Sequence, residues 1–200
     1  MPLLLGVNID HVATLRQARY ARTPGCQNAE PSPLTAGLDA MAGGADSLTL
    51  HVRGDRRHMQ DSDAFQVRRD VPLPFNLEMG VTEEMVGLAL KLKPEYACLV
   101  PETRQEITTE GGLDVRAGFD KIRMVVARLQ DAGIKVSLFI DPDTDQVEAA
   151  GETCAEMIEL HTGCYANALG DSVESELARL VNAAKCGHAG KLQVNAGHGI

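Results

Sequence analysis

The chain has 200 residues, of which 44% are hydrophobic and 24% are charged, a composition typical of one globular domain rather than a disordered chain. No apolar stretch approaches the roughly 18 residues that a membrane span requires, so we expect no membrane partner. The net charge of −9, from 28 acidic and 19 basic residues, argues against nucleic acid as a partner, because phosphate backbones are bound by basic surfaces.

Short apolar segments alternate with longer segments of helical periodicity, which is the pattern of repeated βαβ units. The predicted strands are Leu3–Ile9, Ser47–Val52, Pro74–Met79, Tyr96–Val100, Lys135–Ile140, Met157–Leu160 and Lys191–Asn195. The predicted helices are Leu34–Gly43, Arg57–Arg69, Val81–Lys93, Phe119–Ala132, Thr144–Ala155 and Asp171–Lys185. The alternation predicts an α/β fold of the barrel type in a single domain, residues 1–200.

Two segments are predicted to be loops. Tyr20–Pro33 contains three prolines and no hydrophobic period, and it is long for a βα connection. Pro101–Gly118 contains the run Thr-Thr-Glu-Gly-Gly and is either a lid or an exposed turn.

Polar side chains recur at the carboxyl ends of the predicted strands, where a parallel barrel places its catalytic groups. Glu78 and Glu159 would be costly to bury unless paired, which suits acid–base carboxylates of raised pKa. His51 and His198 can exchange protons near neutral pH. The alternative for each such residue is an ordinary hydrogen-bonded core or surface group.

The cationic residues suggest anion binding in an otherwise acidic chain. We expect Arg19 and Arg53 to contact a phosphate or carboxylate ligand, and we expect this less of Arg16, Arg56 and Arg57.

Several other chemistries have little support in the sequence. The sequence contains no metal-binding motif. No lysine lies at the carboxyl end of a predicted strand, which disfavours a Schiff-base mechanism. The five cysteines form no C-x-x-C pair, and the N-terminus lacks a signal peptide, so we expect a protein of the reducing cytoplasm.

Seven motifs resemble the pyridoxine 5′-phosphate synthase family of vitamin B6 biosynthesis: GVNIDHVATLRQAR, HVRGDRRH, NLEM, LVPETRQEITTEGGLD, VSLFID, ELHTGCYA and VNAGHG. The resemblance extends through nearly the whole chain. It implies a TIM (β/α)₈ barrel that assembles as a homo-oligomer, described for the family as an octamer. It also implies condensation of 1-deoxy-D-xylulose 5-phosphate with 3-amino-2-oxopropyl phosphate, without metal or organic cofactor.

The resemblance further implies roles for individual residues. His51 and Glu78 resemble the general bases, His198 the general acid, and Glu159 a further proton-handling group. Contacts to the deoxyxylulose phosphate are implied for Asp10, His11, Arg53, His58 and Thr108, and contacts to the aminoketone phosphate for Asn8, Arg19 and Gly199.

One departure from the family pattern leaves other functions open. The sequence reaches Ile200 directly after Gly197-His198-Gly199, so the eighth βα unit and its phosphate-binding turn are expected to be missing. The alternatives are a metal-dependent barrel lyase or isomerase acting on a phosphorylated sugar, and an inactive barrel that binds a phosphorylated ligand.

Overall fold

A computed structural model describes residues 3–102 and 111–199, in which seven strands alternate with eight helices. The strands are β1 (Gly6–Asn8), β2 (Ser47–His51), β3 (Phe75–Gly80), β4 (Tyr96–Val100), β5 (Lys135–Ile140), β6 (Met157–His161) and β7 (Gln193–Gly197). The helices are α1 (Asp10–Tyr20), α2 (Pro33–Ala42), α3 (Asp61–Asp70), α4 (Glu83–Leu92), α5 (Phe119–Asp131), α6 (Thr144–Glu152), α7 (Gly163–Asn167) and α8 (Ser172–Ala189).

The strands are parallel, as the βαβ pattern predicts. Residues 1–97 and 98–200 form two compact units. In the first unit β2 pairs with β1 and β3, and in the second β6 pairs with β5 and β7. Within each unit these strands follow one another in chain order. Parallel strands in chain order, joined by helices, confirm the predicted α/β barrel-type fold.

Residue alternation along the strands separates the core from the candidate site. In β2, Leu48 and Leu50 are fully buried apolar side chains, and each contributes about 1.5–3 kcal/mol through burial. Thr49 and His51 lie on the opposite face, because successive side chains of a strand point to opposite sides. This second face carries the polar chemistry of the first unit.

Two helices follow their sequence signals closely. Helix α4 begins after Thr82, whose hydroxyl caps the helix by accepting a hydrogen bond from the Met85 amide at 3.3 Å. Helix α5 buries the stripe of Ile122, Val125, Val126 and Leu129. Among the described residues, no helix is both long enough and apolar enough to cross a bilayer.

The structure corrects the prediction for α3, which begins at Asp61 rather than Arg57. At this start the Asp63 carboxylate accepts a hydrogen bond from the Gln60 backbone amide at 2.8 Å, and residues 57–60 belong to the loop that precedes the helix. Two helices, α1 and α7, have no counterpart among the predicted elements.

The predicted loops are partly described. Residues 21–32 connect α1 to α2 without regular structure beyond turns, which confirms most of the proline-rich loop. Residues 103–110, and with them most of the predicted lid, lie outside the described residues.

Candidate active site

His51 and Glu78 form the centre of the polar group in the first unit. They are register partners on β2 and β3, so their side chains leave the same face of the sheet. His51 is buried, and its Nδ1 lies 4.0 Å from Glu78 Oε2. Two residues earlier on the same strands, Asn76 donates to the Thr49 hydroxyl at 3.2 Å. The face is therefore lined by polar residues that pair across the strands.

Asp10, the first residue of α1, joins this group. Its Oδ1 accepts a hydrogen bond from the His51 backbone amide at 2.7 Å, and its Oδ2 accepts one from the Asn8 side chain at 2.8 Å. Burial raises the pKa of Asp10, and these two hydrogen bonds partly oppose that effect. The carboxylate thus holds the ends of β1 and β2 together.

Arg53 and His58 lie in the turn that follows β2. Arg53 is buried, with its Nε 3.7 Å from Asp55 Oδ1. Burial and the nearby charges of His51 and Arg53 lower the pKa of His58 to about 4. His58 Nδ1 accepts a hydrogen bond from the Met59 amide at 2.8 Å, so the neutral ring carries its proton on Nε2. His58 is accordingly a neutral hydrogen-bond donor near pH 7.

Arg16 stabilises the turn that follows β2. Its guanidinium makes two 2.7 Å hydrogen bonds to Asp63 and one of 3.2 Å to the His58 carbonyl, and the side chain is only 2% exposed. Arg56 pairs with Asp61 and Glu84, and Arg57 pairs with Asp55. The structure thus gives these three arginines protein carboxylate partners, and their contact with a ligand stays a prediction.

Glu159 is a half-buried acid of the second unit. It lies in β6, and burial raises its pKa to about 7, as its inward placement predicts. Its Oε2 lies 4.0 Å from Cys98 Sγ. Its Oε1 would lie 2.5 Å from a Cβ on Gly197 of β7, so a residue larger than glycine would collide with the carboxylate. A carboxyl of this kind exchanges protons near neutral pH.

His198, which follows β7, lies beside a second histidine. Its ring centroid is 5.0 Å from that of His161 and 5.9 Å from that of Phe139. His161 is buried, and its Nδ1 lies 3.0 Å from Asp141 Oδ1, a distance at which the ring donates to the carboxylate. The His161 imidazole, which Asp141 holds in place, thus packs against the exposed His198.

The remaining predicted site residues are more dispersed. His11 and Arg19 are exposed on α1, and the Arg19 guanidinium carbon lies 5.7 Å from the centre of the Tyr20 ring. Gly199 adopts φ of +95°, a conformation suited to glycine. Thr108 lies outside the described residues.

One group has the composition of a metal site. Asp10, His51 and Glu78 each offer a ligand atom, and these atoms lie within 4.8 Å of one another. Such nitrogen and oxygen donors suit a divalent cation. The same side chains are also a coherent hydrogen-bonded acid–base group.

Three residues of the second unit were absent from the predicted site. Asp141 and His161 could have been found by the rule that identified the other residues, since each is a polar residue at the end of a strand. Thr162 carries no such signal, because its role depends on contacts with Gly197 and His198, more than 30 positions away.

The sequence comparisons agree on one family. The model described as pyridoxal phosphate biosynthesis protein PdxJ matches residues 5–200. The pyridoxine 5′-phosphate synthase of Akkermansia muciniphila is 62% identical over 198 residues, which cover 99% of this chain and 80% of that protein. The pyridoxine 5′-phosphate synthase of Geobacter sulfurreducens is 53% identical, over 98% of this chain and 80% of that protein.

Solved structures of other enzymes share the fold. An HMG-CoA lyase from Brucella melitensis has a TM-score of 0.60 at 8% identity, covering 98% of this chain and 81% of that one. A mandelate oxidase has a TM-score of 0.56 at 15% identity, covering 80% of this chain and 56% of that one. At such identities the similarity concerns the fold alone.

Proposed function

Since the chain belongs to the family of pyridoxal phosphate biosynthesis protein PdxJ, we propose that it is a pyridoxine 5′-phosphate synthase. The reaction joins 1-deoxy-D-xylulose 5-phosphate to 3-amino-2-oxopropyl phosphate and yields pyridoxine 5′-phosphate, inorganic phosphate and water. The observation that carries the proposal is the placement of His51 beside Glu78 on neighbouring strands, within reach of Asp10.

The proposed chemistry is proton transfer between positioned groups. The aminoketone supplies its own amine, so imine formation needs no lysine from the enzyme. Phosphate loss and ring closure each require protons to be removed and returned. His51 and Glu78 act as general bases and His198 as general acid. Glu159, with its pKa raised to about 7, both accepts and releases protons at neutral pH.

Substrate recognition is assigned to the polar residues around these groups. We assign Asp10, His11, Arg53, His58 and Thr108 to the deoxyxylulose phosphate, and Asn8, Arg19 and Gly199 to the aminoketone phosphate. A buried guanidinium beside a neutral imidazole donor, the arrangement of Arg53 and His58, suits a phosphorylated, hydroxyl-rich ligand.

The assay for this function is a substrate-omission experiment. The purified protein is incubated with both substrates and with each alone, and pyridoxine 5′-phosphate is identified by chromatography and mass. Product is expected only in the complete mixture. Lack of product there, with a folded protein by circular dichroism, would refute the proposal.

The Asp10, His51 and Glu78 group favours a second candidate, a metal-dependent lyase or isomerase acting on a phosphorylated sugar. Metal content after dialysis against a chelator separates the two functions. A stoichiometric metal that is required for turnover would favour the second candidate, and unchanged synthase activity in the chelator-treated protein would favour the first.

We further propose that the protein acts in the cytoplasm as a homo-oligomer without nucleic-acid or membrane partners. None of the five cysteines, all within the described residues, forms a disulfide, as expected in a reducing compartment. Val173, Leu177 and Val181 are 37–46% exposed at four-residue spacing on α8, a surface suited to subunit contact. Light scattering in solution measures the assembly, and a monomer would refute this part.

A further inference from the structure

His198 has a backbone conformation that needs external support. Its φ is +76°, in the left-handed region that residues with a Cβ rarely occupy. Such a conformation is unfavourable for a residue with a Cβ and persists only where surrounding contacts enforce it. The preceding Gly197 pairs with His161 at the end of β6, so those contacts come from the segment that follows β6.

Thr162 supplies the contacts that hold the His198 backbone in this conformation. Its hydroxyl lies 2.7 Å from the carbonyl oxygens of both Gly197 and His198, and its backbone amide donates to the Gly197 carbonyl at 3.0 Å. The side chain is only 2% exposed, so water does not compete for these bonds. Thr162 thereby fixes the backbone on both sides of the His198 nitrogen.

The Thr162 hydroxyl does not make the hydrogen bond that is usual for a threonine at its position. Thr162 is the residue immediately before α7, where a threonine hydroxyl ordinarily accepts a hydrogen bond from the first turn of the helix. Here the hydroxyl makes no capping bond to α7 and donates to the turn at Gly197 and His198 instead. Helix α7 therefore has no side-chain N-cap, and the Thr162 hydroxyl stabilises the turn at His198 instead.

The neighbours of the turn restrict it further. Asp141 anchors His161, and the His161 ring packs against the His198 ring at a centroid distance of 5.0 Å. With the backbone fixed by Thr162 and the ring bounded by His161, the His198 imidazole has little freedom to change direction.

We infer that Thr162 is a positioning residue that holds the His198 imidazole in its reactive orientation. The catalytic meaning of this inference rests on the proposed function, in which His198 is the general acid. Proton donors must be placed closely, since a shift of about 1 Å can cost about 100-fold in rate.

The test compares Thr162→Val, which keeps the shape but removes the hydroxyl, with Thr162→Ser, which keeps the hydroxyl. We expect kcat to fall about 10- to 100-fold in Thr162→Val and by no more than about threefold in Thr162→Ser, with KM little changed in both. Thr153→Val is the matched control, because Thr153 is equally buried and its hydroxyl forms hydrogen bonds local to the α6 end: it donates to the Ala150 carbonyl at 2.7 Å and accepts from the Ala155 amide at 3.3 Å.

A second readout does not depend on catalysis. The His198 ring signal in a ¹H–¹³C NMR spectrum is identified by its loss in His198→Gln. We expect it to move in Thr162→Val and to stay in place in Thr162→Ser and Thr153→Val. If the wild-type protein makes no pyridoxine 5′-phosphate, the proposed function fails, and this signal still decides whether Thr162 holds His198.

Three results would overturn the inference: wild-type kcat and an unmoved His198 signal in Thr162→Val, a loss of kcat in Thr153→Val equal to that in Thr162→Val, or a fall in kcat of about tenfold or more from wild type in Thr162→Ser. The serine result is compared with wild type alone and therefore applies even where the valine variant does not fold.

Discussion

His51 and Glu78 come together because they are register partners on adjacent parallel strands, although they are 27 positions apart. Strand-end polar residues can be recognised in the sequence by their place after an apolar run, and this rule identified both. The hydrogen bond from the His51 amide to Asp10 could not be predicted, because it depends on how α1 turns back over β2.

Removing either proposed base should abolish most turnover while leaving the fold intact. We expect His51→Asn and Glu78→Gln each to lower kcat by about 100-fold or more, as is typical of acid–base groups. Steady-state kinetics with both substrates measures the effect, and circular dichroism checks folding. Glu84→Gln, which alters an exposed carboxylate of α4, is the control and should retain wild-type kcat. A wild-type rate in either base variant would exclude that residue from the mechanism.

Glu159 predicts a pH dependence of stability. Burial raises its pKa in the folded protein to about 7 from the ordinary value of 4.5, which applies to the unfolded chain. Between pH 4.5 and pH 7 the folded state therefore keeps a proton that the unfolded chain releases. The free energy of unfolding contributed by this group therefore falls as the pH rises from about 4.5 to about 7, and is constant above that range.

The comparison of wild type with Glu159→Gln isolates this effect. Urea unfolding at several pH values should show the wild type losing stability relative to the variant across that range, by about 3 kcal/mol. The exposed Glu174→Gln change should leave the pH profile as in the wild type. A difference between wild type and Glu159→Gln that does not vary with pH would contradict the assignment.

At the scale of elements, the sequence predicted all seven strands, with β4 and β5 matching at both ends. Helix α4, Glu83–Leu92, lies within the predicted range Val81–Lys93. Helix α1 was not predicted, because its buried residues are Ala13 and Arg16, and a buried arginine does not register as an apolar stripe. Helix α7 has five residues, too few for a periodic pattern.

The Arg16 and Asp63 ion pair links α1 to α3, and through the His58 carbonyl to the turn that carries Arg53. Arg16→Met would leave the largely buried Asp63 carboxylate without its partner. We expect the free energy of unfolding to fall by about 3–5 kcal/mol.

Denaturant unfolding checks this expectation against a surface pair. Arg69→Met removes an arginine that is 70% exposed and pairs with Asp70, its neighbour in the chain. Such exposed pairs are screened by solvent and contribute little to stability, so this variant should remain near wild-type stability. Equal losses in the two variants would mean that the buried pair has no special structural role.

At the scale of the whole molecule, the sequence motifs predicted the family, which the comparisons confirm, and the parallel α/β fold. The sequence ranked Arg16 below Arg53 as a ligand contact, but it did not reveal that Arg16 is buried and paired with Asp63. The role of Arg53 stays a prediction. The predicted roles of Thr108 and of the lid concern residues outside the described part of the chain.

The stoichiometry of the reaction tests the account most directly. Pyridoxine 5′-phosphate and inorganic phosphate are measured together, in time courses with both substrates and with each alone. The condensation predicts equal amounts of the two products from the complete mixture and neither from a single substrate. Phosphate released from one substrate alone, or released without pyridoxine 5′-phosphate, would contradict the proposed synthase.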